Sequence, residues 1–396
     1  GVVKRFPIRE TFTFGLTDPG FNDPASDGYN PDLAPYDLTR GGKALAFQGR
    51  RTGTYAAAFV QDAVRFFGLT AHLGLRYDHN DLPTAESQLE PRVGLAYYLR
   101  PTGTVLRVSY NRVFYTPEYE NILFSSSPLA ASVVPPEVRG SRALGEGVLL
   151  VPSERQNAYT IGLQQAVGKK LRAGLDFWWR RSRNAGDQDQ FQNTGVVFPI
   201  AFDSGRYNGW DARLDLAETH GLRGFLSLGH THALYVPPPV GGLFLDAEAL
   251  SSISGGPFLI DHDQKLQAQG QLLWDIGRSG VWLGAGVRYD SGLVTEASPE
   301  DLASDPDNAF AGPFVTVHGG GDLDPNRIKP RTVTSFSLGY DLGRRHKAPL
   351  SIQADLLNAF DTAGLYNIES VFGGTHVIPP RTLSLRIRYR FGAPKG

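Results

Sequence analysis

The stretch TLSLRIRYRF, residues 382–391, alternates without a break: Leu383, Leu385, Ile387, Tyr389 and Phe391 share one face, and Ser384, Arg386, Arg388 and Arg390 share the other. Successive side chains of a strand point to opposite faces. This is therefore a strand with an apolar, aromatic-ended face and an arginine ladder behind it, suited to lipid on one side and water on the other. The same period of two returns along the chain. Leu73, Leu75 and Tyr77 oppose Gly74, Arg76 and Asp78; Val93, Leu95 and Tyr97 oppose Arg92, Gly94 and Ala96; Leu106, Val108 and Tyr110 oppose Arg107, Ser109 and Asn111; and Trp210, Ala212 and Leu214 oppose Asp211, Arg213 and Asp215. Further segments at 4–16, 54–66, 159–163, 171–179, 222–234, 266–276, 281–289, 336–342 and 350–356 bring the count to about fourteen strands, an even number as a bacterial membrane barrel requires.

The connections alternate in length. Short ones fall at Phe67-Gly68, 100–103, Gly168-Lys169, 219–221, 277–280 and 343–347, and long irregular ones at 18–51, 79–90, 114–153, 185–206, 236–261, 291–331 and 361–379. Outer-membrane barrels have short periplasmic turns and long outer loops, whereas a soluble sandwich or propeller has no reason to sort its connections this way. The two signals together predict an all-β fold, a transmembrane antiparallel β-barrel portion extending over residues 1–396 as a single unit.

Composition narrows the reading. No apolar run reaches the ~18 residues of a membrane helix, which says nothing against a barrel, whose apolar residues recur only at every second position. The 46 glycines and 11% aromatic residues fit tight turns and interfacial anchors. Lys+Arg 39 against Asp+Glu 40 gives a net charge of −1, with no basic field to attract nucleic acid. The absence of Cys excludes disulfides, thiolate zinc sites and cysteine nucleophiles. There is no Met either, so a mature form or a fragment is expected.

Several stretches in order, TYAAAFVQDAV (54–64), LGLRYDHN (73–80), EPRVGLAYYL (90–99), TVLRVSYNRVFYTPEYENI (104–122), LNAFD (357–361) and PPRTLSLRIRYRF (379–391), resemble the C-terminal barrel portion of a TonB-dependent receptor, the outer-membrane active transporter family. The resemblance implies a barrel of twenty-two strands, an N-terminal plug domain inside it, and contact with a TonB-type energy-transducing complex. On this resemblance the chain is expected to be only the later part of such a receptor, without the plug domain. The expectation is a fragment rather than a reduced, plugless relative, with a sheet that curves but closes poorly, having few ladder bonds between 4–16 and 382–391. The last strand also resembles the C-terminal signal read by the barrel-insertion machinery, which would make Leu383, Leu385, Ile387, Tyr389 and Phe391 insertion determinants.

Candidate chemistry is sparse. Asp261, His262 and Asp263 could orient a proton-transfer base, as at an omptin-like rim, but alternation puts His262 on the face opposite the two acids, and a rim hydrogen-bonding role is the stronger reading. His230 and His232 share a face yet lack a third ligand at compatible spacing. Asp322, Asp324 and Asn326 begin like a calcium loop, but Pro325, Arg327 and Val333 break an EF-hand; no cofactor is expected, with room only for a loop calcium. The inward arginines Arg76, Arg92, Arg107, Arg213, Arg288, Arg386 and Arg388 either pair with Asp78, Asp211, Asp215 and Asp290 in a polar wall or face a plug or anionic ligand. Tyr115, Tyr119, Phe124, Tyr235, Phe244, Phe258, Phe310, Phe314, Tyr366 and Phe372 fall in outer loops, where they could capture a small solute or simply pack.

The functional expectation is an energy-coupled outer-membrane receptor for a scarce solute such as a siderophore, vitamin, oligosaccharide or peptide, and not an enzyme. Its rivals are a passive plugless porin, which requires the first and last strands to pair, and an outer-membrane hydrolase built on residues 261–263.

Overall fold

The computed structural model describes residues 1–20, 22–26, 29–133, 150–190, 197–242, 256–304, 308–319, 321–342, 350–370, 374–389 and 391. Alternation becomes architecture directly. The strands are β1 (Val2–Phe14), β2 (Leu45–Phe66), β3 (Leu69–Asn80), β4 (Glu86–Leu99), β5 (Thr104–Tyr115), β6 (Glu154–Val167), β7 (Leu171–Gln190), β8 (Val197–Thr219), β9 (Leu222–Gly241), β10 (Gln264–Asp275), β11 (Val281–Asp290), β12 (Arg331–Asp341), β13 (Leu350–Leu357) and β14 (Thr382–Tyr389). Each pairs antiparallel with its chain neighbour, in one continuous path from β1 to β14; the two-residue segment Phe258–Leu259 adds to the edge of β9. Every segment read from the period of two holds one of these strands.

Register puts like with like. Leu75 faces Val60 on one side and Pro91 on the other, Leu95 faces Val108, and Ile352 faces Ile387, so apolar positions form continuous rows around the outside. Many of these apolar side chains are solvent-exposed, for example Leu73, Leu163, Phe177, Leu272 and Leu338, which only a lipid surround would cover. The turns at the opposite end from the long loops are tight. Phe66 and Leu69 are ladder partners, so Phe67-Gly68 is a two-residue hairpin loop with both residues at positive φ (43° and 88°), the backbone that matches strand twist.

The long connections are less irregular than expected. A strand needs about 9–11 residues to cross a bilayer, yet β2 has 22, β7 has 20, β8 has 23 and β9 has 20. They continue past the apolar band as paired ribbon, so the expected loops 18–51, 185–206 and 236–261 are partly strand, as is 79–90, where β3 runs to Asn80 and β4 starts at Glu86; the expected loops 291–331 and 361–379 hold two small antiparallel pairs, Val315–Thr316 with Arg327–Ile328 and Leu365–Ser370 with Gly374–Val377. The alternation fades there because both faces are covered by protein: Val197, Phe198, Ile200, Ala201 and Phe202 are all buried. The extensions and loops build two apolar cores. The larger joins Phe14, Leu33, Leu45, Phe124, Phe198, Ile200, Phe202, Ala233, Tyr235 and Ile260; the smaller joins Leu302, Ala311, Val315, Ile328 and Leu365.

β1 and β14 stand at the two ends of the path, and among the described residues no ladder joins them. β1 pairs only with residues 45–57 of β2, leaving the lower half of β2 without a partner on that side.

Candidate functional site

The inner wall is a set of short-range ion pairs. Residues i and i+2 of a strand share a face, and Arg76 accordingly meets Asp78 (Nε to Oδ2, 2.5 Å), Arg92 meets Glu90 (2.9 Å), Arg213 meets Asp215 (2.9 Å) and Arg288 meets Asp290 (2.9 Å). Arg172 of β7 also reaches Asp215 (3.1 Å), and Arg107 of β5 reaches Asp176 of β7 (2.9 Å). The Tyr55 hydroxyl lies 2.7 Å from Arg76 Nη2 and also contacts Asp78. Asp211 accepts from the Trp178 indole (3.0 Å) rather than from an arginine. Arg386 and Arg388 stand opposite Gln353 and Ser351 on the same wall, and both are exposed; Arg390 lies outside the described residues.

The outer end carries the two loop cores. The Glu10 carboxylate is buried at the top of β1 and accepts from the backbone N–H groups of Leu123 and Phe124 (2.8 Å each), capping the helical turn Ile122–Ser125. Those N–H groups have no partner inside a helix, and a carboxylate there satisfies them with a charge-assisted bond. Phe124 and Tyr235 are buried in the larger core, at 0% and 5% exposure, and Phe258 packs edge-on against Phe202 at 5.2 Å. Tyr119 is half-buried and donates to Asn80 Oδ1 (2.9 Å). Phe314 packs on the smaller core, while Tyr115 and Phe310 are exposed. The Tyr366 ring lies under Arg331 (5.1 Å) and Arg288 (6.0 Å). Phe244 and Phe372 lie outside the described residues.

Residues 261–263 do not act as one cluster. They form a turn before β10, so strand alternation does not govern them and the expected separation of His262 from both acids does not arise. His262 Nδ1 contacts Asp261 Oδ1 (2.5 Å), and both are largely exposed. Asp263 turns the other way and is buried, taking Arg327, His232 Nδ1 (2.9 Å) and the Ala233 N–H (3.1 Å). His230 instead lies 2.9 Å from the Lys265 carbonyl oxygen. Asp324 contacts His318 (3.2 Å), and Asn326 Oδ1 accepts from the His318 N–H (3.2 Å). Among the described residues no three His, Asp or Glu side chains converge as a metal group.

Sequence reasoning missed the polar patch above the membrane where β7, β8 and β9 continue as ribbon. Asp187, half-buried there, is pushed up to about 6, first by burial and next by the charge of Asp261, against the opposing Gln188 N–H. The Tyr235 hydroxyl donates to the neighbouring Gly186 carbonyl oxygen (3.0 Å). The Asp261 hydrogen bond raises His262, and burial followed by Asp261 raises Glu296. No spacing motif marks these residues, because they come from three separate loops.

The architecture has known counterparts. A family model described as TonB dependent receptor-like, beta-barrel, matches residues 3–368. Among solved structures, the FrpB iron transporter from Neisseria meningitidis (F3-3 variant) superposes with a TM-score of 0.60 at 15% identity, covering 98% of this chain and 52% of that one. A mutant of the ferric enterobactin receptor PfeA from Pseudomonas aeruginosa gives 0.54 at 14% identity, covering 97% and 50%. The outer membrane transporter YddB from Escherichia coli gives 0.57 at 12% identity, covering 87% and 46%. The chain thus spans about half the length of these structures. No curated protein sequence matches it. With the meander, the paired inner wall and the family model agreeing over most of its length, this chain belongs to the TonB-dependent receptor β-barrel family.

Proposed function

We propose that this chain is the later barrel part of an outer-membrane, energy-coupled receptor, which captures a scarce solute at its outer loops and releases it inward past a plug domain under the control of a TonB-type complex. The observation that carries this reading is the open path. A passive porin needs its first and last strands to pair, since an unpaired strand edge is not tolerated in hydrocarbon, and among the described residues no ladder joins β1 and β14. The ion-paired inner wall supports it as a surface on which a polar domain could sit. A hydrolase reading finds less support, because Asp261 and His262 face solvent while Asp263 is committed to Arg327, His232 and Ala233.

The solved relatives named as an iron transporter and a ferric enterobactin receptor make a metal chelate the first cargo to test. Cells carrying the gene in its native setting are supplied with radiolabelled ferric siderophores, cobalamin and oligosaccharides in parallel. The reading expects saturable uptake of one of these, abolished when the proton gradient is collapsed. Gene-dependent uptake that persists without the gradient and rises linearly with concentration would favour the porin.

A further inference from the structure

The net charge of −1 conceals a strong segregation. The seven long connections hold 27 of the 40 acidic residues but only 10 of the 39 basic ones, so the outer end is acidic while the wall and its short turns are basic. A surface of one sign gathers solutes of the other. Part of this charge converges above the apolar band, in residues that the ion pairs of the inner wall do not use. Glu154 starts β6 and accepts from the Gly186 N–H (3.3 Å); Asp187 comes next in the chain, and its charge adds to the burial that raises Glu154. The field of Asp261 reaches both Asp187 and Glu296. Among the described residues Glu154, Asp187 and Glu296 form no ion pair, and His262, on Asp261 at 2.5 Å, is the basic group beside them. Arg155 and Arg183 are close in sequence, but they carry the outward parity of Tyr159 and Trp179, and Arg155 is taken by Glu86 (3.3 Å).

Two side-chain oxygens buried in the same place lack partners. The Ser182 hydroxyl, in a residue 3% exposed, is turned toward Glu154 and Tyr207 and reaches hydrogen-bonding geometry with neither. Gln188 Oε1, in the residue after Asp187, is buried without a donor. A buried polar atom without a partner calls for a group that completes it. Carboxylate and amide oxygens only accept, so what this site lacks is donors, and ammonium and guanidinium groups carry several donors and no acceptor. A bare divalent cation fits less well. Calcium takes about six to eight converging oxygens, and among the described residues no three His, Asp or Glu side chains converge. The acids come instead from β6, from β7, from the turn at 261–263 and from the loop after β11, an arrangement that offers separate carboxylates to separate cationic groups.

We propose that the cargo captured at the outer end is a small organic polycation, whose amine or guanidine groups are held by Glu154, Asp187, Asp261 and Glu296. This rests on the receptor reading above, and a metal chelate qualifies if it carries such groups. Cells carrying the gene in its native setting, beside a deletion strain, are given radiolabelled trilysine, trialanine and triglutamate in parallel. Gene-dependent capture is counted on de-energised cells, and uptake is followed once energy is restored. Capture of trilysine should exceed that of triglutamate by about tenfold or more, and should weaken as sodium chloride is raised. Calcium chloride should compete no better than sodium chloride of equal ionic strength. The triple variant Asp187→Asn/Asp261→Asn/Glu296→Gln should lose about tenfold in trilysine capture, and Glu218→Gln, beside the short turn at the opposite end, should change nothing. Equal capture of the three peptides, a preference for triglutamate, an unaffected triple variant, or displacement by micromolar calcium overturns the proposal. The wild-type comparison decides even if a variant does not assemble. Energy-dependent uptake of any cargo without this charge order overturns the inference alone, whereas charge-ordered capture with no energy-dependent uptake overturns the receptor reading alone.

Discussion

Arg107 on β5 reaches Asp176 on β7 across Gly162, the β6 residue that stands between them in register, with Nη2 2.9 and 3.0 Å from the two carboxylate oxygens. The bridge exists because position 162 has no side chain: a Cβ there would collide with the Asp176 carboxylate and lie 3.0 Å from its Cγ. The pair is partly solvated, so it is worth at most about 1 kcal/mol. Gly162→Ala should lower unfolding stability in detergent by about that amount, and should cost almost nothing once Asp176→Ala has removed the obstruction. Additive losses in the double variant would show that Gly162 is not the gap through which the pair forms.

Glu10 couples the top of β1 to the loop that follows β5. Its replacement by Ala leaves the Leu123 and Phe124 N–H groups buried without an acceptor, a cost of roughly 1–3 kcal/mol. Faster hydrogen exchange at residues 122–126, with β6 and β7 unchanged, is the expected result, and Glu10→Gln should lie between the two. Unaltered exchange in Glu10→Ala would remove the cap from the account.

The patch around Asp187 predicts a pH dependence of definite sign. Asp187 is held at about 6 when folded, against about 4 in an unfolded chain. Between these values the folded form keeps a proton that the unfolded form has lost, so this group's contribution to stability is full below pH 4 and declines as pH rises to 6. His262, also raised, extends the decline above its ordinary range near 6.5. Protection factors at 185–190 and 258–263, with the intrinsic pH dependence of exchange divided out, should fall from pH 4 to 6 in wild type and much less in Asp187→Asn. Parallel profiles for the two proteins would contradict the assignment.

The last strand carries a prediction about assembly. Phe391 is exposed and its ring meets that of Tyr389 edge-on at 4.6 Å, ending the apolar row of Leu383, Leu385 and Ile387. If this row is the signal read by the insertion machinery, Phe391→Asp should cut the amount of protein reaching outer membranes several-fold, by membrane fractionation. Wild-type levels would refute the role.

How much was legible depended on where lipid meets the chain. On β3, Leu73, Leu75 and Tyr77 face hydrocarbon while Arg76 and Asp78 face water, and a one-residue slip would exchange them, so sequence and structure agree residue by residue. Above the band that constraint ends: Phe198 and Ala201 point to opposite sides and both are buried, which no alternation records. The ion pairs were readable where i and i+2 lie on one strand, as for Arg288 and Asp290, but not where Arg107 passes over a neighbour to Asp176. Among loop aromatics, nothing local distinguishes Phe124, fully buried, from Phe310, which is exposed, because loop-to-loop packing decides it.

The central claim is that β1 and β14 are not each other's partners. Because the chain contains no Cys, paired single substitutions can be cross-linked without background. Val3→Cys and Arg5→Cys, which share the outer face with β14's apolar row, are each combined with Leu383→Cys, Leu385→Cys and Ile387→Cys in membranes under oxidation, beside the ladder pair Ile352→Cys/Ile387→Cys as a positive control. The account predicts disulfide formation in the control and none between β1 and β14; efficient cross-linking of any β1–β14 pair would mean that the sheet closes on itself, and the plugless porin would replace the receptor.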